Sequence, residues 1–266
     1  MISIVTASYN YEQYIVETIQ SVINQTYTDW ELIVVDDCST DNSVEVIKSF
    51  NDERIKLFVN EKNLGLKGTV KRGIKEAKGD WVVFLESDDM ITPDYLEKKV
   101  EIAQKYPEVN LIFNDCEFFG DEKRIELFSK RLKKTRKILS GKKYPCNLFY
   151  DFFVSNKIFT FSSVMVKREE LLQINFDPKL DYLLDWHLWI QLAYRGKFYY
   201  IDKQLTKWRL HTESYIKNSQ YKSPFDLQLK SYSDVFKQSK DFKIILKILG
   251  LLPLWYARQV KKFLIS

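Results

Sequence analysis

Apolar and polar residues alternate along the first 120 residues in a way that predicts strands separated by helices. Four short apolar runs are typical of buried strands and lie at 2–5, 31–35, 55–59 and 81–85. Between and after them, apolar residues recur every three or four positions, which predicts helices over about 11–25, 44–50 and 66–78. Thr92-Pro93-Asp94 has the composition of a further helix start. This order predicts a mostly parallel sheet covered by helices, with ligands bound beyond the carboxyl ends of the strands.

The second half of the chain has a different pattern. Residues 121–143 are rich in Lys and Arg and have little apolar periodicity, so we predict a mobile loop there. Beyond it, 159–166 and 198–201 resemble strands, and 185–195 resembles a helix. The last segment, 225–266, is partly apolar, but charged residues, a glycine and a proline interrupt it. A membrane span needs about 20 consecutive apolar residues, so we expect a basic amphipathic tail instead.

The net charge of the chain is small, but its distribution is uneven. The 41 Lys and Arg residues exceed the 36 Asp and Glu residues by five, which gives only weak support for nucleic-acid binding. Residues 1–120 carry 12 basic and 22 acidic side chains, whereas 121–143 carry 10 basic and 3 acidic ones. An acidic half suits metal binding, and a basic block suits anionic phosphates or membranes. The alternative for any one of these lysines is ordinary solvated surface.

Cysteine usage indicates the compartment. Cys38, Cys116 and Cys146 are too few and too far apart for a disulfide framework or a zinc cluster. They indicate reduced thiols in a cytoplasmic protein. The apolar run that follows Met1 has neither the basic region nor the cleavage site of a signal peptide, and we expect none.

Acidic residues gather where the second and fourth predicted strands end. Asp36 and Asp37 follow the second strand, and Glu86, Asp88 and Asp89 follow the fourth. Neighbouring carboxylates repel one another unless a cation or a hydrogen-bond donor compensates, and they are suitable ligands for Mg²⁺ or Mn²⁺. We therefore expect a metal and diphosphate site at the fourth strand and nucleoside contacts at the second.

Two observations limit this interpretation. Asp36 and Asp41 could instead cap the helix that follows them, and for Asp41 we favour that role. The sequence has no Gly-x-Gly-x-x-Gly motif and no Walker lysine loop, so we do not expect a dinucleotide or nucleoside-triphosphatase site of those types. Any phosphates must be held mainly through a metal and side chains from later in the chain.

Several sequence blocks together resemble the inverting glycosyltransferases of family 2, which have the GT-A fold. The resemblance begins at Val5-Thr6-Ala7-Ser8-Tyr9-Asn10 and continues through 25–41, which includes the second strand and the acidic residues after it. The blocks Asn63-Leu64-Gly65, Ala77-Lys78-Gly79-Asp80-Trp81 and Leu85-Glu86-Ser87-Asp88-Asp89 follow in the family's order and spacing. The resemblance is dense over about the first 110 residues. It implies an α/β, Rossmann-like, mostly parallel sheet flanked by helices.

The resemblance implies that the first half binds the donor. Its donor-binding residues would be Ala7, Ser8, Tyr9, Asp37, Glu86 and Asp88, together with Lys71. Of these, Asp37 would contact the base. Lys71 or Lys67 would replace an arginine that the family often has in the third helix. The alternative is that both lysines are merely solvated.

Glu86-Ser87-Asp88 occupies the family's Asp-x-Asp position, with Glu86 in place of the usual first Asp. Asp88 and Asp89 are therefore the expected residues for ribose contact and metal ligation. The metal would be Mn²⁺ or Mg²⁺.

Two segments of the second half also resemble the family. Leu184-Asp185-Trp186-His187-Leu188-Trp189 stands where the family has an acidic pair, an aromatic residue and Leu-Trp, and Asp185 would be the catalytic base. Trp208-Arg209-Leu210-His211 resembles the family's Tyr-Arg-x-His segment. Arg209 would stabilise the diphosphate and His211 would bind the metal. We expect His187 to be structural instead.

The resemblance implies a metal-dependent, inverting transfer of a hexosyl or N-acetylhexosaminyl group from a nucleotide sugar, most commonly a UDP-sugar. The acceptor would be a hydroxyl of a glycan or lipid-linked molecule in bacterial surface polysaccharide synthesis. We expect one GT-A domain over 1–224, with the nucleotide sugar bound by 1–120 and the acceptor by 121–224. No nucleic-acid partner is expected.

The same resemblance favours a cytoplasmic protein in peripheral contact with the inner face of the cell membrane. Residues 121–143 and the tail at 225–266 are the segments expected to make that contact. The alternatives for the tail are packing on the domain and formation of a homo-oligomer.

Two other classes of protein could also bind a sugar nucleotide. A sugar-nucleotide nucleotidyltransferase would need a Gly-rich basic loop after the first strand, where this chain has Ala7-Ser8-Tyr9-Asn10-Tyr11. A non-catalytic module that binds sugar nucleotides would not need Asp185 or His211. Both are therefore less favoured than a glycosyltransferase.

Overall fold

The structure, a computed structural model, describes residues 1–174 and 184–211. Within them the strands are β1 (Ile2–Ser8), β2 (Trp30–Asp36), β3 (Ile55–Val59), β4 (Trp81–Phe84), β5 (Met90–Ile91), β6 (Val109–Gly120), β7 (Val164–Lys167) and β8 (Lys197–Leu210). The helices are α1 (Ile15–Ile23), α2 (Ser43–Lys48), α3 (Gly65–Glu76), α4 (Tyr95–Lys105), α5 (Glu122–Leu139), α6 (Phe149–Val154), α7 (Arg168–Leu171) and α8 (Leu184–Arg195). The predicted tail at 225–266 lies outside the described residues.

The eight strands form one sheet in the order β3-β2-β1-β4-β7-β6-β8-β5. Strands β3, β2, β1 and β4 are parallel to one another, as the alternation of strands and helices predicts. Strand β7 then runs antiparallel to both β4 and β6, while β6 and β8 are parallel. The sheet is therefore mostly parallel at one side and mixed at the other, and the predicted α/β class is confirmed.

Helices cover both faces of the sheet, and each face has its own apolar core. Helices α1, α2 and α4 pack on one face, while α3, α6 and α8 pack on the other. All seven residues of β2 are buried, which is the pattern of a parallel strand covered on both sides. The strand ends therefore offer the main accessible edge of the parallel part of the sheet.

The prediction of a mobile loop over 121–143 is wrong, because most of this segment is helix α5. Its start is capped by Asp121, whose carboxylate accepts from the Arg124 N–H at 3.1 Å. Its inward residues recur at intervals of three and four and are Ile125, Phe128, Leu132, Thr135 and Leu139. This apolar stripe is narrow, and the lysines and arginines around it hide its period in the sequence.

Strand β6 was not predicted, because polar residues interrupt its apolar run. Asn114 and Asp115 are nevertheless buried in the middle of the strand. Asn114 Nδ2 donates to Thr206 Oγ1 at 3.0 Å, and Asp115 forms an ion pair with Arg136. These partners come from β8 and α5, so the burial of the two polar side chains is compensated by residues that are remote in sequence.

The strand prediction over 159–166 is only partly right. A single 3₁₀ turn occupies Phe161–Ser163, and β7 begins at Val164. Strand β8 is longer than the predicted 198–201 and continues to Leu210. None of the helices in 1–174 or 184–211 combines the length and apolar composition that a membrane span requires.

Helix α3 crosses β1 so closely that a methyl group has no room at Gly73. A Cβ there would lie 2.3 Å from Cγ1 of Val5, and the branched, buried Val5 side chain has little freedom to move. We expect Gly73→Ala to lower the free energy of unfolding by about 1–2 kcal/mol, because overpacking outweighs the better helix propensity of Ala. Urea denaturation measures this loss.

Gly141→Ala is the matched control, since its Cβ would lie 3.7 Å from the nearest heavy atoms. We expect its stability to stay within about 0.5 kcal/mol of the unsubstituted protein. A Gly73→Ala variant as stable as this control would contradict the close approach of α3 to β1.

Candidate active site

The loops that follow β1 and β2 are joined at the carboxyl end of the sheet. The Asn10 N–H donates to Ser39 Oγ at 2.9 Å, and Asn10 Oδ1 accepts from the Thr40 N–H at 2.8 Å. The Glu12 N–H donates to Asp41 Oδ2 at 3.0 Å. Asn10 has a φ of +56°, a left-handed conformation that Asn tolerates better than most residues. The two loops therefore form one connected surface beyond the sheet.

The predicted pocket residues of the first loop lie on this surface. Ser8 ends β1 and is buried, and its carbonyl accepts from the Asp37 N–H at 2.8 Å. Tyr9 is 44% exposed, and Ala7 is half-buried beneath it in the strand. A ligand at this edge would meet the exposed Tyr9 ring.

Asp37, predicted to contact a base, already holds the start of α3. Its Oδ1 accepts from Asn60 Nδ2 and from the Leu64 N–H, both at 2.8 Å. Its Oδ2 accepts from the Gly65 N–H at 2.8 Å. A carboxylate is favourable at a helix N-terminus, where backbone N–H groups lack partners. In the structure, Asp37 therefore orders the loop between β3 and α3.

Asp41 lies one residue before Asn42, the N-cap of α2, and its side chain supports the start of that helix, in line with the role that we favoured. Its Oδ1 accepts from the Ser43 N–H, the first residue of α2, at 3.0 Å. Hydrogen bonds from Ser43 and Glu12 outweigh burial and lower the pKa of Asp41. Lys71 is an exposed residue of α3, and its role at a donor site stays a prediction.

Three predicted residues from distant parts of the chain meet beyond β4 and β8. His211 Nε2 lies 2.8 Å from Asp88 Oδ2, and both side chains are largely buried. Arg209 Nε donates to the Asp88 carbonyl at 3.0 Å. The loop after β4 and the end of β8 thus bring together a carboxylate, an imidazole and a guanidinium.

Arg209 is fixed by its surroundings. Its guanidinium carbon lies 4.8 Å from the centre of the Tyr14 ring and 4.5 Å from that of Phe119. It also forms an ion pair with Glu17 of α1. Cation–π contacts of this kind contribute about 0.5–2 kcal/mol each, more when water is excluded. The positive charge beside Asp88 is therefore preorganised.

Asp89, predicted as a metal ligand, supports the loop after β4 in the structure, and its role towards a metal stays a prediction. It is fully buried, and both of its oxygens accept hydrogen bonds. Oδ1 accepts from the Arg209 N–H at 3.0 Å, while Oδ2 accepts from Thr160 Oγ1 at 2.9 Å and Ser162 Oγ at 2.6 Å. Burial, and then the charges of Asp88 and Glu86, raise the pKa of Asp89.

Glu86 shares the hydroxyl of Thr160 with Asp89. Thr160 Oγ1 lies 2.7 Å from Glu86 Oε2 and 2.9 Å from Asp89 Oδ2. One hydroxyl has one proton, so a protonated Glu86 can donate to Thr160 while Thr160 donates to Asp89. Burial, with help from the charge of Asp88, raises the pKa of Glu86 to about 8. Glu86 is therefore mostly neutral at pH 7.

Asp185 lies in the first turn of α8 and is held by Asn156. Asn156 Nδ2 donates to Asp185 Oδ2 at 2.7 Å, and Asn156 Oδ1 accepts from the Ile158 N–H at 3.0 Å, which fixes the orientation of the amide. Burial raises the pKa of Asp185, and the hydrogen bonds and the charge of Arg131 only partly oppose it. The charge of Asp185 also acts to raise the pKa of Glu86.

Asp88 and His211 are the donors that fit a divalent cation. Across 1–174 and 184–211, no group of three or more His, Cys, Asp or Glu side chains could hold a metal. A carboxylate oxygen beside an imidazole nitrogen suits Mn²⁺, and Mg²⁺ also binds through few protein ligands plus phosphate oxygens. His211 Nδ1 is buried with no hydrogen-bond partner in the described part of the chain. The ring therefore directs Nε2 towards Asp88.

Sequence reasoning missed the residues that support these groups. No recognised motif includes Thr160, Ser162 or Asn156. The first helix was predicted from the spacing of its apolar residues, and that spacing indicates no role for Tyr14 or Glu17. In the sequence, the hydroxyl residues Thr160 and Ser162 stand out only because they alternate with the aromatic residues Phe159 and Phe161. Their partners are 29 or more residues away along the chain.

Comparison with known proteins identifies the family. Residues 3–161, more than half of the chain, match the model described as Glycosyl transferase family 2. The chain belongs to glycosyl transferase family 2. This confirms the predicted family and a glycosyltransferase activity. The match includes Glu86, Asp88 and Thr160 and ends before Asp185 and His211.

Two relatives from family 2 are informative. The chain is 31% identical over 221 residues to a protein named putative teichuronic acid biosynthesis glycosyltransferase TuaG from Bacillus subtilis, covering 82% of each chain. It is 41% identical over 105 residues to WfgD from Escherichia coli, covering 40% of this chain and 42% of that protein. WfgD is named a UDP-Glc:alpha-D-GlcNAc-diphosphoundecaprenol beta-1,3-glucosyltransferase.

Solved structures confirm the GT-A fold of this family 2 member. Staphylococcus aureus TarS with UDP-GlcNAc superposes with a TM-score of 0.65 at 19% identity, over 85% of this chain and 62% of that one. The mannosyltransferase PcManGT from Pyrobaculum calidifontis, solved with GDP-Man and Mn²⁺, has a TM-score of 0.65 at 18% identity. That match covers 94% of this chain and 69% of PcManGT. At these identities the similarity concerns the fold.

The hydroxyl of Ser162 supports the loop that carries Asp88. Ser162 Oγ donates to Asp89 and accepts from the Glu86 N–H at 2.9 Å. We expect Ser162→Ala to lower the free energy of unfolding by about 2–4 kcal/mol, because it leaves a buried N–H unpaired and removes a donor from a buried carboxylate. Chemical denaturation followed by fluorescence measures this loss.

Ser129→Ala, at an exposed position of α5, is the matched control and should change stability by less than about 0.5 kcal/mol. Equal stability of the two variants would show that Ser162 does not support the loop.

Proposed function

We propose that this family 2 member transfers a sugar from a UDP-sugar to a hydroxyl of a lipid-linked or glycan acceptor, with inversion at the anomeric carbon. One observation carries the proposal: Asp88, Arg209 and His211 meet at the end of β4, and Asp185 is held by Asn156, four residues before the Thr160 that bonds Glu86 in the same loop. Such a transfer needs positive charge at the leaving diphosphate and a base for the acceptor. This loop and its neighbours offer both.

The donor would bind across the linked loops after β1 and β2. Ala7, Ser8 and Tyr9 would line the nucleotide pocket, and the exposed Tyr9 ring offers a surface for the base. The complex of TarS with UDP-GlcNAc and the UDP-Glc donor in the name of WfgD support a UDP-sugar. Asp37 would support the nucleotide pocket through the loop that it orders. The remaining lone pairs of its carboxylate would accept hydrogen bonds from the base. Lys71 is a further candidate contact for the donor.

Asp88 and His211 would hold a divalent cation, Mn²⁺ or Mg²⁺, whose other positions remain for water and diphosphate oxygens. When bound, the cation would neutralise negative charge on the leaving nucleoside diphosphate. The Mn²⁺ in PcManGT supports this proposal. Arg209 adds a second, preorganised positive charge beside Asp88. Asp89 would act through Asp88, by fixing the loop.

Asp185 would accept the proton of the attacking hydroxyl. The acceptor oxygen forms a bond to the anomeric carbon while the bond from that carbon to the diphosphate oxygen breaks, and its electron pair leaves with the nucleoside diphosphate. A single in-line displacement inverts the configuration and needs no covalent nucleophile. Asn156 engages Oδ2 of Asp185, and the acceptor hydroxyl would use the lone pairs that remain on this carboxylate.

The acceptor is proposed to be lipid-linked and to belong to bacterial surface polysaccharide synthesis. The name of TuaG, which concerns teichuronic acid, and that of WfgD, which includes a diphosphoundecaprenol acceptor, support this. We place the acceptor on the part of the 1–224 domain that follows residue 120. The protein would then work at the cytoplasmic face of the cell membrane, and 225–266 would provide a further membrane contact.

Asp185→Asn keeps the size of the side chain but removes its basicity. We expect transfer to fall by about 10²- to 10⁴-fold, the usual contribution of a general base, while donor binding persists. The measurements are acceptor-dependent UDP release in the presence of Mn²⁺ and thermal shift with UDP. Asp80→Asn, at an exposed position before β4, is the control and should transfer at the normal rate.

Near-normal transfer by purified Asp185→Asn would contradict its assignment as the base. Release of pyrophosphate in place of UDP would contradict the whole reaction class, because it is the product of a nucleotidyltransferase.

Asn156 should set the pH dependence of the reaction. Its hydrogen bond favours the ionised form of Asp185, so Asn156→Ala raises the pKa of that carboxyl further. Since the base must be ionised, the acidic limb of the kcat/KM profile should move to higher pH, and the rate should recover as pH rises. Asn51→Ala, at an exposed loop position, should leave the profile in place. A uniform loss of rate at every pH would show that Asn156 has a structural role only.

A further inference from the structure

Helix α5 has an outward face that the proposed chemistry does not use. Its inward residues pack on β6 and β8, whereas positions spaced by three and four on the opposite side face outward. These outward residues are Lys123, Leu127, Lys130, Lys134, Lys137 and Ile138, which we call the α5 stripe. All six are exposed, and four of them are cationic.

The apolar members of the α5 stripe are unusually exposed. Leu127 is 68% exposed and Ile138 is 41% exposed, and Leu127 is the most exposed large apolar side chain in 1–174 and 184–211. Exposed aliphatic residues flanked by lysines are typical of helices that lie in a membrane interface. Lysine is depleted in the cores of protein–protein interfaces, which argues against a protein partner here.

Acidic residues reduce the charge of the α5 stripe only slightly. Glu126 lies at its edge and pairs with Lys130 at 2.7 Å. No acidic residue follows Glu126 in α5, so Lys134 and Lys137 face outward with no acidic neighbour in the helix. The stripe therefore keeps a net positive charge that complements an anionic surface.

Helix α5 also contacts both sides of the candidate active site. Arg124 Nη1 donates to the His211 carbonyl at 2.8 Å, at the proposed metal side. Two turns later, Arg131 Nη2 donates to the Asn156 carbonyl at 3.3 Å, at the proposed base side. A surface that binds the α5 stripe is therefore held close to the residues that would process the acceptor.

We propose that the α5 stripe docks the protein on the headgroups of an anionic lipid bilayer. The proposal rests on the proposed function in one respect: a lipid-linked acceptor would be presented at that same surface. Lysines would bind the anionic headgroups, and Leu127 and Ile138 would enter the boundary between headgroups and acyl chains.

The test is co-sedimentation of the full chain with vesicles of phosphatidylcholine alone or of equimolar phosphatidylcholine and phosphatidylglycerol. We expect binding to the anionic vesicles only, and weaker binding at high salt, because salt screens the attraction. Each basic residue near such a surface strengthens partitioning roughly fivefold. Lys134→Gln/Lys137→Gln should therefore weaken partitioning roughly 30-fold at low salt, and Leu127→Ser should weaken it further.

Lys48→Gln/Lys75→Gln is the matched control, since both lysines are exposed in the last turns of α2 and α3. It removes the same charge and should leave binding unchanged. Equal binding by the α5 variant and the control would overturn the proposal, as would a wild-type protein that does not bind anionic vesicles. A wild-type dimer that the α5 variant converts to a monomer would show a subunit interface, and would also overturn it.

Donor turnover without vesicles separates this proposal from the proposed function. Mn²⁺-dependent release of UDP from a UDP-sugar should be the same in wild type and in both charge variants, because none of the substituted lysines contacts the site. Failure of the transferase proposal would appear as absence of UDP release from wild type, whatever the vesicles show.

Discussion

The buried carboxylate of Asp89 is the constraint on which the site depends. It accepts hydrogen bonds from the Arg209 N–H in β8 and from the hydroxyls of Thr160 and Ser162 before β7. A carboxylate removed from water is tolerated only when such donors surround it. The loop after β4 can therefore pack only where β8 and the 160–162 turn supply donors. Asp88, one residue earlier, is then placed beside His211, two residues beyond Arg209.

The site contains several acidic residues close together, and their environments give them different states. Burial raises the pKa of Glu86 to about 8, so this group is mostly protonated at neutral pH and adds little repulsion. Asp88 has an imidazole and an arginine beside it, and Asp185 has the amide of Asn156. Neutral, paired and hydrogen-bonded carboxyl groups can therefore coexist in one loop region, each available for a different task.

The sequence predicted those parts of the fold that local patterns determine. Strand β3 was predicted with its observed bounds, because a mostly apolar run of five residues between polar turns is long enough for a strand and too short for a helix. Strand β6 and helix α5 were not predicted, since their polar or basic side chains have distant partners, such as Thr206 for Asn114 and the His211 carbonyl for Arg124. The spacing of apolar residues within one segment carries no information about partners that lie far away along the chain.

The same limit applies to the site. The family resemblance pointed to Asp88, Asp185, Arg209 and His211, and the structure brings the first, third and fourth together. It could not separate Asp88 from Asp89, because adjacent acids look equivalent until one is buried. The burial of Asp89 depends on Thr160 and Ser162, which are 71 and 73 residues away along the chain.

The position of the basic helix beside the site follows from the pairing of β6 with β8. Their parallel register ends with Gly120 opposite Leu210, and the Asp121 N–H then donates to the Leu210 carbonyl at 2.8 Å. Gly120 has a φ of +103°, and a Cβ there would lie 2.4 Å from that carbonyl oxygen, so only glycine allows the chain to turn so near. Helix α5 therefore starts next to His211. The strand that delivers Arg209 and His211 thus also fixes where the lysines of α5 face outward.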